Sequence, residues 1–251
     1  MVQRFSSKDV SIAFVDEGEG DPIVLIHGFA SNHRVNWVST GWVATLLGEG
    51  RRVIALDNRG HGESDKPHDA ASYGTPVMAD DVARLLDHLD IGKADIMGYS
   101  MGARITAFMG LQHPGRVRSC VLSGLGSGLV KGVGAPGPIA EALLAASLED
   151  VKDPSGRMFR AFADQTGSDR EALAACISAS RQTLGPSELA NLKVPVLVAV
   201  GTDDDIGGDA QELARLIPGA EAFAIPGRDH MKAVGDKNHK AAVVGFLGRR
   251  P

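Results

Sequence analysis

The sequence predicts an α/β fold in which a mostly parallel β-sheet is flanked by helices on both faces. Short apolar runs typical of buried strands alternate with segments whose apolar residues recur at helical spacing. The chain has 251 residues, 43% of them hydrophobic, which suits one large α/β domain or two small ones and provides ample apolar material for a core. The alternation stops at residues 124–185 and then resumes. We therefore expect a core of residues 1–123 and 186–251, with residues 124–185 inserted as a small helical cap.

The first part of the chain supplies strands and helices in turn. Strands are predicted at residues 11–16, 23–26, 52–56, 94–97 and 117–122. Helices are predicted at residues 37–47, at residues 77–89 and directly after Gly102. The strand at 11–16 alternates apolar and polar residues, so we expect it at the sheet edge with one face in water.

The second part of the chain begins with the predicted cap. A stretch rich in glycine and proline runs to Pro138, and three helical patterns follow at residues 139–148, 154–165 and 169–183. A segment of about 60 residues buries little core alone, so we expect it to lie over the strand ends of the core. Beyond the cap, strands are predicted at 194–200 and 220–225, and helices at 211–217 and 240–247.

Charge and composition exclude several classes of function. The net charge is −5 and only 5% of residues are aromatic, which argues against nucleic acid and anionic membranes as partners. The N-terminus has no apolar signal segment, and the longest apolar run, Val194–Val200, is too short to span a bilayer. The two cysteines, Cys120 and Cys176, form no disulfide framework. These features predict a cytoplasmic protein.

The pentapeptide Gly98-Tyr99-Ser100-Met101-Gly102 is the strongest functional signal. It has the pattern G-x-S-x-G and joins the predicted strand at 94–97 to a helical pattern. A chain with 31 glycines can contain such a pentapeptide by chance. The functional interpretation therefore depends on the strand predicted before it and the helix predicted after it. In this context Gly98 and Gly102 let the strand and helix approach each other, and Ser100 is the candidate nucleophile.

A serine nucleophile needs a base, and His230 is the candidate. His230 follows the last predicted strand, and the carboxyl ends of parallel strands open onto one crevice. The alternative is an ordinary solvent-exposed loop histidine. The other histidines lie at helix ends, in other loops or in the lysine-flanked stretch around His239.

The base in turn needs a carboxylate that fixes its tautomer. Asp203, Asp204 and Asp205 follow the strand that ends near Gly201, again at a carboxyl end. Asp204 is the first choice for this role and Asp203 the second. The aspartate run lacks the glycine-placed oxygen ligands of a calcium loop, so we predict no metal here.

Two backbone N–H groups are expected to stabilise the oxyanion of a tetrahedral intermediate. One belongs to Met101, directly after the nucleophile. The other belongs to Phe29, which follows His27 and Gly28 where the strand at 23–26 ends. Gly28 would allow this loop to lie close to the substrate. The alternative is an ordinary turn after a strand.

Five stretches together resemble the α/β-hydrolase superfamily, in its short-capped esterase, lipase and haloperoxidase-like branch. They are IVLIHGF (23–29), DNRGHGES (57–64), GYSMG (98–102), VAVGTDDD (198–205) and IPGRDH (225–230). The resemblance implies a sheet of about eight strands. It also implies that the acid lies three residues after the strand-end glycine, at Asp204, and that Asp57 and Arg59 are structural. The chain departs from the family pattern at Asp229, where relatives often have glycine.

The resemblance implies hydrolysis of a carboxylic ester of a small molecule, without metal or organic cofactor. The small residues and few aromatics of the predicted cap favour short acyl chains. A serine at the elbow argues against the dehalogenase and epoxide-hydrolase branches, which carry aspartate there. Perhydrolysis of the haloperoxidase type, thioester hydrolysis and carbon–carbon bond hydrolysis use the same three side chains and stay open. A non-catalytic small-molecule receptor is the further alternative.

Two other patterns carry less weight. Residues 132–137 fit G-x-G-x-x-G, but no strong strand precedes them and prolines interrupt the region, which argues against a dinucleotide site. Trp37 and Trp42 would line a pocket or fill the core, and the sequence favours neither.

Overall fold

An eight-stranded β-sheet forms the centre of the computed structural model, which describes residues 1–249. The strands are β1 (Gln3–Ser7), β2 (Val10–Glu17), β3 (Asp21–Ile26), β4 (Arg51–Leu56), β5 (Ala94–Tyr99), β6 (Val117–Ser123), β7 (Val196–Gly201) and β8 (Glu221–Ile225). Their order across the sheet is β1-β2-β4-β3-β5-β6-β7-β8. The β1–β2 and β2–β4 pairs are antiparallel, and the remaining pairs are parallel. The predicted mostly parallel sheet is confirmed.

Helices cover both faces of the sheet. They are α1 (Trp42–Gly48), α2 (Thr75–His88), α3 (Met101–Gln112), α4 (Gly128–Lys131), α5 (Gly137–Leu144), α6 (Pro154–Gln165), α7 (Arg170–Ala179), α8 (Pro186–Leu189), α9 (Ala210–Ala214) and α10 (Lys237–Arg249). Successive side chains of a strand point to opposite faces. Ile23 and Leu25 of β3 therefore belong to the same core cluster as residues of α1 and α10, whereas Val24 and Ile26 belong to the cluster that includes residues of α2, α3 and α9.

The sheet edge is not where the sequence places it. β2 lies inside the sheet between β1 and β4, and its residues Ile12 to Val15 are buried, so the expectation of a half-wet edge strand at 11–16 is wrong. The edge is β1, which the sequence analysis missed. Phe5 is its one large apolar residue, and such a short polar strand leaves no apolar run to detect. Its pairing with β2 places that strand inside the sheet, although the polar residues Ser11 and Asp16 of β2 stay half-buried.

The helix predicted at residues 37–47 is two separate elements. A wide π-type helical turn covers Arg34–Val38, and α1 starts only at Trp42. Gly41 interrupts them with a φ of 79°, a left-handed conformation that glycine adopts without steric cost. Trp37 and Trp42 both belong to the core: each is fully buried, and their rings meet edge to face.

The segment between β6 and β7 contains α4 to α8 and no strand, and the structure describes all of it. The helix predicted at 154–165 has the predicted bounds. The helix predicted at 139–148 is shifted to Gly137–Leu144, and the one at 169–183 is shorter, at Arg170–Ala179. The helix predicted at 211–217 is Ala210–Ala214, and the last helix, predicted at 240–247, extends to Lys237–Arg249.

Among residues 1–249, no helix combines the length and apolar character needed to cross a membrane.

Candidate active site

A sharp turn between β5 and α3 places Ser100 at the carboxyl edge of the sheet. Ser100 has φ 55° and ψ −109°, a strained conformation for a residue with a side chain. The turn requires glycine on both sides. A Cβ on Gly98 would lie 2.0 Å from the carbonyl oxygen of Gly102, and a Cβ on Gly102 would lie 1.9 Å from that of Ile26. The strand–turn–helix arrangement predicted for the G-x-S-x-G pentapeptide is therefore present.

The side chains of Ser100, His230 and Asp204 form one hydrogen-bonded chain. His230 Nε2 lies 3.0 Å from Ser100 Oγ, and His230 Nδ1 lies 2.8 Å from Asp204 Oδ2. Asp203, the second choice from the sequence, turns away and accepts a hydrogen bond from Thr202 instead. Burial acts to raise the pKa of Asp204, but its hydrogen bond from His230 and those from the Gly207 and Ile206 N–H groups hold that pKa below the ordinary value. Asp204 is therefore ionised at neutral pH.

The loop that carries His230 is anchored by Tyr99, a residue that the sequence analysis did not single out. The buried Tyr99 hydroxyl donates to the His230 carbonyl oxygen at 2.6 Å. Asp229, the departure from the family pattern, has an exposed carboxylate that accepts from the N–H groups of Met231 and Lys232 and pairs with the Lys232 ammonium. Asp229 thus shapes the turn around His230.

The loop after β3 is held by side chains that face inward. His27 is fully buried, its Nδ1 donates to the Gly28 carbonyl at 2.7 Å, and its Nε2 accepts from the Asn58 N–H at 2.9 Å. Burial lowers the pKa of His27, so the ring is neutral. The amide oxygen of Asn36 accepts from the Gly28 N–H at 3.1 Å. Both sides of Gly28 are thereby fixed.

The two predicted oxyanion donors flank Ser100. Within residues 1–249, neither the Phe29 nor the Met101 backbone N–H donates to another protein group. Both residues line the cavity space around Ser100. The amide nitrogen of Asn36 is a further buried donor without a protein partner in the described chain, and Asn36 lines a cavity together with Ser100.

Ser100 lies between two cavities that share Phe29 and Phe159 as walls. The larger, about 240 Å³, is lined by His230 and mainly by apolar side chains, among them Val35, Phe162, Met231 and Val234. The smaller, about 40 Å³, has two arginines in its wall, Arg104 and Arg181. Within residues 1–249, no three His, Cys, Asp or Glu side chains converge as a metal site.

Comparison with known proteins agrees with this architecture. A family model described as the α/β-hydrolase fold matches residues 21–146. The chain belongs to the α/β-hydrolase family.

Three similar proteins illustrate how this α/β-hydrolase relates to others. A non-heme chloroperoxidase, CPO-A1, from Kitasatospora aureofaciens is 30% identical over 91% of this chain and 92% of its own length. A 2-hydroxymuconate semialdehyde hydrolase from Pseudomonas sp. strain CF600 is 39% identical, but only over 43% of this chain and 38% of its own length. The crystal structure of a hydrolase from Pseudomonas aeruginosa PA01 superposes with a TM-score of 0.81 at 25% identity, covering 98% of both chains.

In this α/β-hydrolase, the segment predicted as a cap touches the loop after β3. The ring of Phe159 on α6 meets the ring of Phe29 edge to face, with centroids 5.6 Å apart. The Thr166 hydroxyl, just after α6, lies 3.1 Å from the Ala30 carbonyl oxygen, and the carbonyls of Phe162 and Ala163 are further acceptors for its single proton. Ala30 has a φ of 58°, so this loop is strained where the contact is made. The same loop therefore carries a predicted oxyanion donor and the contact with α6.

Asp57 and Arg59 follow β4, away from both cavities. Asp57 is fully buried and accepts from the backbone and ring of His33 and from the Glu63 N–H. Burial acts to raise the pKa of Asp57, but the hydrogen bond from His33 and the nearby histidines lower it to about 2. Arg59 forms two 2.7 Å hydrogen bonds with the carboxylate of Asp81. The Arg59–Asp81 pair holds the loop after β4 against α2, and the Asp57–His33 pair holds it against the loop after β3.

Proposed function

We propose that this α/β-hydrolase is a serine hydrolase that cleaves carboxylic esters of small molecules through an acyl-enzyme intermediate. The observation that supports it most directly is the unbroken hydrogen-bonded chain from Ser100 through His230 to Asp204, with distances of 3.0 and 2.8 Å. A nucleophile, a base and a carboxylate that orients the base meet the requirements for acyl transfer. Ser100 and His230 both face the larger cavity.

In the first half-reaction, Ser100 Oγ attacks the ester carbonyl carbon while His230 Nε2 takes the hydroxyl proton. Asp204 holds the other ring nitrogen of His230 as the donor and stabilises the imidazolium that forms. The same proton then passes from His230 to the oxygen of the departing alcohol, and the acyl group stays on Ser100. The pairing of the Asp204 carboxylate with His230 is the geometry that this step needs.

The tetrahedral intermediate places a negative charge on the former carbonyl oxygen. We assign its stabilisation to the free N–H groups of Phe29 and Met101, and each such donor contributes about 3 kcal/mol in a preorganised site. The hydrogen bonds of His27 and Asn36 to Gly28 keep the Phe29 donor in place before substrate arrives. Preorganisation matters because the donors then need no rearrangement as the charge develops.

In the second half-reaction, His230 activates a water molecule that attacks the acyl-enzyme. The water proton goes to Nε2 and then to Ser100 Oγ as the acid product leaves. Every step uses groups of this chain and water.

Replacement of Ser100 tests the proposal. We expect S100A to lose at least about 10³-fold in kcat for p-nitrophenyl acetate and butyrate, because the residual rate comes only from the oxyanion donors and binding. S31A is a matched control, since Ser31 lines the same cavity without contacting His230. A fluorophosphonate probe should label the wild type and S31A but not S100A. Wild-type turnover by S100A, or an unlabelled wild-type protein, contradicts a serine hydrolase and favours the receptor alternative.

The chloroperoxidase relative supports a second candidate, in which hydrogen peroxide replaces water in the second half-reaction. Peroxide would attack the acyl-enzyme, His230 would take one peroxide proton and return it to Ser100, and a peracid would leave. The rates of peracetic acid and acetate release from an acetate ester in the presence of hydrogen peroxide distinguish the two candidates. Peracetic acid released in excess of acetate favours the second candidate.

The 2-hydroxymuconate semialdehyde hydrolase relative supports a third candidate, cleavage of a carbon–carbon bond next to a carbonyl. Parallel rates with an ester, a thioester and a β-diketone of the same acyl group distinguish these bonds. We expect the ester to be cleaved fastest, and faster cleavage of the diketone would overturn the ester assignment.

A further inference from the structure

Two arginines of the smaller cavity lack the acidic partner that a buried cation normally has. Arg104 on α3 is 2% exposed, and its guanidinium donates to the backbone carbonyl of Gln182. Arg181, which follows α7 and is half-buried, donates to the carbonyls of Val133 and Gly134 at 3.0 and 2.7 Å. Within residues 1–249, no Asp or Glu contributes to the electrostatic surroundings of either group, and neither forms an ion pair.

The two other buried arginines show the contrast. Arg59 pairs with Asp81 at 2.7 Å, and Arg160 pairs with Asp164 at 2.9 Å. A buried charge without a partner is costly, so proteins rarely keep one unless something binds it. Arg104 and Arg181 are therefore exceptions within this chain itself.

The position of Arg104 adds to the cost. Burial and the neighbouring Arg181 lower the pKa of Arg104 to about 10, and burial also lowers that of Arg181. Arg104 is also one turn from the N-terminal end of α3, where the helix dipole disfavours a cation. All three effects disfavour the charged form of Arg104. An anion bound between the two guanidinium groups would offset them.

The smaller cavity is the space that such an anion would fill. Its lining includes Arg104 and Arg181 as well as Ser100, Met101 and Phe29. Its volume of about 40 Å³ is larger than the ~10–15 Å³ that a cavity needs in order to hold one water molecule. A carboxylate fits there, and a long alkyl chain does not.

The side of Ser100 on which the cavity lies decides which part of a substrate enters it. His230 must protonate the leaving alcohol, and it lines the larger cavity but not the smaller one. The alcohol therefore belongs in the larger, apolar cavity. The acyl group then extends from Ser100 towards the smaller cavity and its arginines.

We propose that Arg104 and Arg181 form a carboxylate subsite, and that the substrates are half-esters of short dicarboxylic acids with an apolar alcohol. This inference rests on the proposed function and names its substrate class. The planar guanidinium groups suit a carboxylate, because each can donate two parallel hydrogen bonds to its oxygens. One arginine comes from the core helix α3 and the other from the segment between β6 and β7, so the bound anion joins the two parts of the chain.

A pair of esters that differ only in charge tests the subsite. Monobenzyl succinate carries the terminal carboxylate, and benzyl succinamate replaces it with a neutral amide of the same shape. Release of benzyl alcohol, measured by chromatography, gives kcat/KM for both. We expect the wild type to prefer the succinate by about 10- to 100-fold, the range for hydrogen bonds to a charged group. In R181M and R104M the ratio should fall towards one.

R157M is the matched control. Like Arg181, Arg157 donates to two backbone carbonyls, those of Leu148 and Val151, but it lines neither cavity beside Ser100. Its preference for the succinate should equal that of the wild type. If R104M does not fold, R104K and R181M provide the same comparison, with R104K keeping a positive charge but losing the paired donors.

A binding measurement separates failure of the subsite from failure of the proposed function. Calorimetry with S100A should show binding of monobenzyl succinate that is at least about tenfold weaker in S100A/R181M. Equal kcat/KM for the two benzyl esters, with no effect of R181M on the ratio or on binding, overturns the subsite and leaves the serine mechanism intact. Loss of all Ser100-dependent ester cleavage with carboxylate binding retained overturns the mechanism but supports the subsite.

Discussion

The hydroxyl of Tyr99 donates a 2.6 Å hydrogen bond to the backbone carbonyl of His230, which lies 131 residues further along the chain. Tyr99 is also the residue directly before Ser100. The proposed nucleophile and the loop of its proposed base are thereby connected through one side chain. The rings of Tyr99 and His230 also lie close, with centroids 5.5 Å apart. This connection fixes where the imidazole sits relative to the serine.

Removal of the Tyr99 hydroxyl should therefore reduce the rate as well as the stability. In Y99F the buried carbonyl of His230 loses its donor, which costs about 1–3 kcal/mol of stability. We expect kcat for p-nitrophenyl butyrate to fall about tenfold with little change in KM, since only the position of the base is affected. Loss of stability in urea unfolding with an unchanged kcat would show that Tyr99 has no positioning role.

Two adjacent aspartates provide an internal comparison for the acid of the proposed triad. Asp204 lies 2.8 Å from His230 Nδ1, whereas Asp203 bonds only to Thr202 through its side chain. We expect D204N to reduce kcat by about 10³- to 10⁴-fold because the amide no longer holds the required tautomer. D203N should keep most of the wild-type rate. A reversed order in steady-state kinetics would assign the role to Asp203.

The elbow glycines should tolerate no side chain. In G98A the new Cβ would lie 2.0 Å from the backbone oxygen of Gly102. Neither backbone segment can move away to relieve this clash without disrupting β5 or α3. We expect a loss of at least about 3 kcal/mol in the free energy of unfolding, or no soluble protein. G48A is the control: nothing lies within 4 Å of its Cβ, and an alanine there should stabilise α1 by about 0.5–1 kcal/mol.

His239 should make the protein sensitive to mild acid. It is fully buried, with Ser123 Oγ 2.8 Å from its Nε2, and burial lowers its pKa from 6.5 to about 4. Between pH 6.5 and 4 the unfolded chain binds a proton at this residue and the folded chain does not. Stability is therefore unaffected above pH 6.5 and falls by up to about 3 kcal/mol as the pH drops to 4.

Urea unfolding at pH 7.5, 5.5 and 4.5 checks this contribution. H239Q should lose less stability than the wild type over that range, because it has no group to titrate. H88Q, which removes an exposed histidine on α2, is the control for the loss of an imidazole as such. Identical pH profiles for H239Q and the wild type would contradict the assignment.

Much of the fold could be predicted because the central strands are buried on both faces. Strands such as β3 and β7 appear in the sequence as continuous apolar runs bounded by glycine or polar residues. β1 has no such run, and its place in the sheet depends on pairing with β2 rather than on its own composition. The break at Gly41 was missed because Trp37 and Leu46 are both apolar and buried, and this pattern hides the interruption.

The residues of the candidate site were likewise predictable only in part. Ser100, His230 and Asp204 could be selected because each follows a strand at the same edge of the sheet, and the structure brings their side chains together. Arg104, Arg181 and Asn36 were not selected. Nothing in their local sequence shows that they line the space beside Ser100, that the two arginines have no acidic partner in the described chain, or that the Asn36 amide nitrogen has no acceptor there. That information exists only after the segment between β6 and β7 is placed over the core.

The contact of Phe159 and Thr166 with the Phe29–Ala30 loop has a consequence for protein engineering. Exchanging residues 124–185, the predicted cap, for those of another family member, in order to accept a different substrate, would remove two supports of the loop that carries the proposed oxyanion donor Phe29. Chimeras that keep an aromatic ring at 159 and a hydroxyl at 166 should retain turnover, and those that keep neither should bind new substrates but convert them slowly. We therefore expect substrate selectivity and turnover rate to change together when this segment is exchanged.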